Sequence, residues 1–97
     1  MYEFEVYQPV TASEMIKWIE QLQDRSEITN QTARKLSMHM TTVSRYADEQ
    51  RADKVLKHVE GFLKLNKKLL EEGHLTDEVY EKLKAATIEL QIKWQMK

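Results

Sequence analysis

Histidine, lysine and aromatic side chains are the residues of this chain whose chemistry and spacing could make a site. His39 and His58 stand about equally far from the polar run Asp48-Glu49-Gln50, so in an antiparallel helical hairpin they face each other at one height. That is how a metal pair could begin. A bound zinc needs at least three protein ligands, and both histidines flank rather than fill the apolar stripes, so they read as boundary residues, with no metal and no cofactor. His74 follows Gly73 and reads as a local hydrogen-bonding residue in a turn. Lys57, Lys64 and Lys68 share one helical face, with Gly61 between them leaving the backbone approachable. Such a row could hold a polyanion, although Glu60, Glu71 and Glu72 interleave with it as they would on an ordinary solvated face. Trp18, Tyr46 and Trp94 offer flat surfaces that stack on sugar rings or close a core. An up-and-down bundle would put Trp18 and Trp94 toward the same end.

No serine, histidine and acid triad, paired-carboxylate cleft, glycine-rich phosphate loop or histidine-rich metal motif can be assembled from spacing, which argues against catalysis by this chain. One motif points to nucleic acid. Ala33, Ser37 and Val43 stand where a helix-turn-helix reader has a small residue, a turn glycine and an aliphatic, and Thr42-Val43-Ser44-Arg45 would open the recognition helix of a reader spanning residues 31–47. Ser37 replaces the glycine, however, and the apolar stripe Ala33, Leu36, Met40, Val43, Ala47 passes it without a phase break. The DNA reader therefore stands as the alternative to one long structural helix.

The bulk composition decides what can position these residues. At 97 residues the chain is one domain's worth, and 41% hydrophobic with 32% charged, two glycines and one proline favours a helical domain. Fifteen basic against sixteen acidic side chains leave a net charge of -1, so an anionic partner would need a local patch. The absence of cysteine excludes disulfides and thiolate chemistry, and no stretch reads as a signal peptide or a membrane span.

Along the chain, Tyr2, Phe4 and Val6 alternate with Glu3, Glu5 and Tyr7 before Pro9, the pattern of a short extended arm or the last strand of a preceding domain over residues 1–10. Residues 11–97 then read as an all-α antiparallel four-helix bundle of two hairpins, with helices near 12 to 24, 29 to 47, 50 to 72 and 77 to 95. Thr11 with Glu14 marks the first start, Ile28 with Thr29 the second, and Leu75 with Thr76 the fourth. The corner near residue 48 carries no glycine or proline and is the weakest boundary. Ile28 and Leu75, Thr29 and Thr76, Leu36 and Leu83, and Val43 and Leu90 are each 47 apart. Two similar hairpins would bury their stripes against each other.

From Glu27 to Trp94 the order of features resembles the FIMAH domain. The resemblance runs through Glu27-Ile28, Leu36, Met40, Val43, Ala52, the run Lys57-His58-Val59-Glu60-Gly61-Phe62, Leu65, His74-Leu75-Thr76, Leu83, Leu90 and Trp94. It implies a non-catalytic accessory module of a large secreted or surface-bound bacterial enzyme, located outside the cell. Its partners would be a polysaccharide or cell-wall polymer, or the neighbouring domains of that enzyme. Glycan binding would then use Trp18, Tyr46 or Trp94 for stacking, or Lys57, Lys64 and Lys68 for the carboxylates of an acidic polymer. With no third ligand beside His39 and His58, zinc or a chelator should leave the melting temperature unchanged; a rise of several degrees with zinc would reveal a site.

Overall fold

Threonines start three of the four helices. In the computed structural model, which describes residues 11–96, the Thr11 hydroxyl accepts from the Glu14 amide at 3.1 Å, Thr29 from Thr32 at 3.1 Å and Thr76 from Val79 at 3.2 Å. Each bond satisfies an amide that a helix start leaves open and is worth about 1 kcal/mol. The helices so begun are α1 (Ala12–Asp24), α2 (Asn30–Asp48) and α4 (Asp77–Gln95). Between the last two lies α3 (Ala52–Glu71), whose first turn has no side-chain cap. The expected start of this helix, residue 50, is correspondingly the furthest from the observed one. The extended pattern expected over residues 1–10, and with it the division into arm and bundle, lies outside the described residues.

The three turns close in the same way. Ser26, Gln50 and Gly73 adopt left-handed backbone angles, with φ of 61°, 59° and 82°. The next amide in each case, that of Glu27, Arg51 or His74, donates back to the carbonyl of Leu22, Tyr46 or Leu69 at 2.9, 3.0 and 2.8 Å. This is the Schellman closure, and glycine is the residue that enters it without a Cβ clash. Only Gly73 meets that preference. The corner after Asp48 is therefore a true turn, made by a glutamine.

Successive helices pack side by side, α1 on α2, α2 on α3 and α3 on α4. The apolar stripes meet in one core, where Met15, Ile19, Leu36, Met40, Val43, Val55, Val59 and Phe62 are fully buried. Side chains of α4 also reach α1, since the Thr87 hydroxyl approaches the Met15 sulfur at 4.0 Å while donating to the Leu83 carbonyl at 2.7 Å. The result is an all-α four-helix bundle, broad in two directions and thin in the third at 36 × 34 × 19 Å. The two hairpins follow the 47-residue offset into their turns, because Ser26 and Gly73 are equivalent positions. At one core position the copies diverge: Ile19 in α1 corresponds to Asn66 in α3. Asn66 is fully buried, and its Nδ2 donates to the Tyr80 carbonyl at 3.2 Å while its Oδ1 has no partner.

Three stability predictions follow from these positions. Ser26→Gly and Gln50→Gly should each raise the unfolding free energy by roughly 1 kcal/mol, measured by urea titration, because they relieve a left-handed strain of that order. Asn66→Leu should be neutral or stabilising by about 1 kcal/mol, since it removes a buried unpartnered oxygen at little change in shape. Phe62→Ala, by contrast, should cost about 3–5 kcal/mol, a large share of a small domain's stability.

Candidate functional site

The outer surface of α2 and α3 gathers most of the side chains with binding chemistry. These two helices carry eight lysines and arginines against four acidic residues, while α1 and α4 carry four against seven. A chain with a net charge of -1 thus has a cationic middle. Lys57, Lys64 and Lys68 are exposed along α3, and Lys54 continues their row toward the start of that helix. None of the four makes an ion pair among the described residues, where the ion pairs are Arg25 with Glu27, Arg51 with Glu49, His74 with Glu72 and Lys82 with Glu78.

Beside this row lies an aromatic cluster that sequence spacing alone does not reveal. Tyr46 of α2 stacks on His58 of α3 with ring centroids 5.3 Å apart and an angle of 20° between planes. The guanidinium groups of Arg45 and Arg51 each stand 5.7 Å from the Tyr46 ring centre, within range of cation–π attraction. His39 meets Phe62 edge-on at 6.4 Å. His39 is thus set against Gly61 and Phe62 of α3, and His58 against Tyr46 of α2.

Gly61 makes room for His39. A Cβ at Gly61 would stand 3.3 Å from His39 Cε1, tighter than nearly all real contacts of that kind. The glycine therefore serves interhelical packing, at the cost of about 1 kcal/mol in helix propensity. The Nδ1 atom of His39 is buried without a hydrogen-bond partner. Burial, and secondarily the neighbouring His58, lower the His39 pKa below its ordinary 6.5.

The tryptophans do not form a joint platform. Trp94 is a core residue with 7% of its surface exposed, and Trp18, midway along α1, is half-buried against the core. Trp94 instead lines a depression of about 300 Å³ at the start of α1, with Thr11, Ser13, Asp48, Leu90 and Lys93 among its walls. Among the described residues those walls hold no histidine and a single carboxylate, a poor set for catalysis. Among the described residues no three His, Cys, Asp or Glu side chains converge for a metal, and no helix is long and apolar enough to cross a membrane. The helix-turn-helix reading is corrected by α2, which runs unbroken from Asn30 to Asp48 and places Ser37 within the helix. No turn separates a recognition helix there.

Compared with protein families, the chain matches the FIMAH domain over residues 12–91, which takes in α1, α2, α3 and most of α4. The chain belongs to the FIMAH family. No curated protein and no solved structure matches it. FIMAH domains are small helical units and not a known catalytic family, so membership points to an accessory domain of larger proteins.

The lowered His39 pKa sets a pH dependence of folding. A histidine that is harder to protonate in the folded state gives stability that is full above pH 6.5 and is lost as pH falls through the folded pKa. Urea unfolding between pH 7.5 and 4.5 should show this decline, and His39→Leu should reduce its slope below pH 6.5. An identical slope in the variant would show that His39 titrates normally.

Proposed function

We propose that this FIMAH domain is a non-catalytic module of a larger exported bacterial enzyme that acts on polysaccharide or cell wall, and that it holds an acidic glycan on the lysine face of α3. The observation that carries this reading is the row of Lys54, Lys57, Lys64 and Lys68, exposed or half-exposed and without ion-pair partners among the described residues, in a chain of net charge -1. Lys57 and Lys64 lie two helical turns apart, roughly 10 Å along the axis, so the row can meet successive carboxylates of an extended sugar chain. Tyr46 borders the row, but its ring is stacked on His58, carries the guanidinium groups of Arg45 and Arg51 and packs against the core, so it offers no open face for a pyranose, and Trp94 is more deeply buried still. Stacking on Trp18 is the weaker alternative, because that ring is half-covered by the core.

The two modes separate by their response to salt. Lysine–carboxylate attraction weakens as the screening length shortens from about 10 Å at 0.1 M to about 3 Å at 1 M, while stacking is nearly indifferent. Titrations of polygalacturonate and of a neutral glucan at these ionic strengths, followed by tryptophan fluorescence and amide shifts, should show binding of the acidic polymer that salt weakens. Lys57→Glu, Lys64→Glu and Lys68→Glu combined should lower that affinity at least about tenfold, an effect of about 1.4 kcal/mol. Amide shifts caused by the neighbouring catalytic domain, with none from any polymer, would replace glycan binding with docking on the parent enzyme.

A further inference from the structure

The depression beside Thr11 is the part of the surface that the lysine face leaves unused. It lies where α1 begins and where α2 and α4 end, with a volume of about 300 Å³, the lower end of the range for small-molecule sites. Part of its lining is apolar: Ala12, Val43 and Leu90 are buried there and Ala47 is half-buried. The rest includes Ser13, Ser44, Asp48 and Lys93, and among the described residues none of these side chains makes a hydrogen bond or an ion pair. Asp48 and Lys93 thus carry opposite charges on one depression and do not join across it. Lys93 stands in the last turn of α4, where a cation is favoured by the helix dipole, so the helix alone accounts for its charge. Asp48 is the last residue of α2, where a carboxylate meets the negative end of the dipole and lowers stability. Folding does not account for that charge.

We propose that this depression is a subsite for one neutral hexopyranose, either a free sugar or the end of a neutral chain, separate from the lysine face of α3. Charge selects the ligand. One carboxylate and one ammonium sum to zero, so an anionic sugar is opposed by Asp48, an amine by Lys93, and a neutral polyol by neither. The Asp48 carboxylate accepts from sugar hydroxyls, the Lys93 ammonium donates to them, and the hydroxyls of Ser13 and Ser44 do either. The apolar walls take the C–H face of the ring out of water. A zwitterion such as alanine would also match the two charges, but it would leave the serine hydroxyls and most of the volume without a contact. The inference does not rest on acidic-glycan binding, because it uses none of the same residues.

The test is an NMR titration of the whole chain, since residue 10 is bonded to Thr11 in the wall of the site. Methyl α-D-glucopyranoside, methyl β-D-galactopyranoside and N-acetylglucosamine are the neutral probes, with glycerol, galacturonate and alanine for comparison. At least one neutral sugar should bind saturably, with a dissociation constant on the order of 1 mM, and shift the amides of Ser13, Ser44, Asp48 and Lys93. No saturable shift there from any of the three overturns the proposal. So does an equal response to glycerol, which has no ring, or equal or tighter binding of galacturonate. Binding of alanine alone overturns the assignment to sugar. Asp48→Asn and Lys93→Gln, both at exposed positions, should each weaken sugar binding at least about fivefold. The urea midpoint of Asp48→Asn should stay level or rise, as removal of a carboxylate from a helix C-terminus requires. Wild-type affinity in both variants overturns the site. Lys57→Glu, Lys64→Glu and Lys68→Glu combined should leave the neutral sugar's affinity unchanged; its loss together with polygalacturonate binding would place the sugar on the lysine face and overturn the depression. Neutral-sugar binding by a chain that binds no polygalacturonate overturns the lysine reading alone.

Discussion

The corner at Gln50 is the constraint on which the bundle depends. Neither hairpin can bury its apolar stripe alone, so the chain must reverse between Asp48 and Ala52 to bring α3 against α2. It does so without glycine or proline, by putting a glutamine into a left-handed conformation and returning the Arg51 amide to the Tyr46 carbonyl. Burial of Met40, Val43, Val55 and Val59 on the two sides of the corner offsets that local strain. Had α2 and α3 continued as one helix, their shared stripe would have needed a second chain to cover it.

The same corner creates the cationic face. Bringing α2 and α3 side by side adds Arg45 and Arg51 around Tyr46 to the lysine row of α3, while the acidic surplus stays on α1 and α4. Chain-wide charge conceals this separation because the two surpluses nearly cancel. In a bundle whose strongest packing is between chain neighbours, position along the sequence becomes position across the surface.

Much of the architecture is legible in the residues. Threonine caps and apolar staples locate three helix starts, and the 47-residue offset pairs the hairpins, because side-chain caps and helical periodicity are local signals. The start of α3 lacks such a cap at Arg51 and is legible only to within two residues. The pairing of α2 with α3 follows from counting outward from the corner. The Tyr46–His58 stack, the seat of His39 over Gly61 and the burial of Asn66 do not, since each depends on the rotation of one helix against another. Trp94 shows the same limit from the other side: its spacing allows either a core or a surface ring, and packing against the start of α1 makes it a core ring.

The fit of His39 over Gly61 also restricts the order in which the two positions can drift. While the imidazole is in place, even a methyl group at residue 61 presses on its Cε1 from 3.3 Å, so alanine's helical advantage is opposed by crowding. Once residue 39 becomes small, the crowding ends and the advantage is free to act. The two positions are therefore coupled, and the effects of replacements at 39 and 61 should not add.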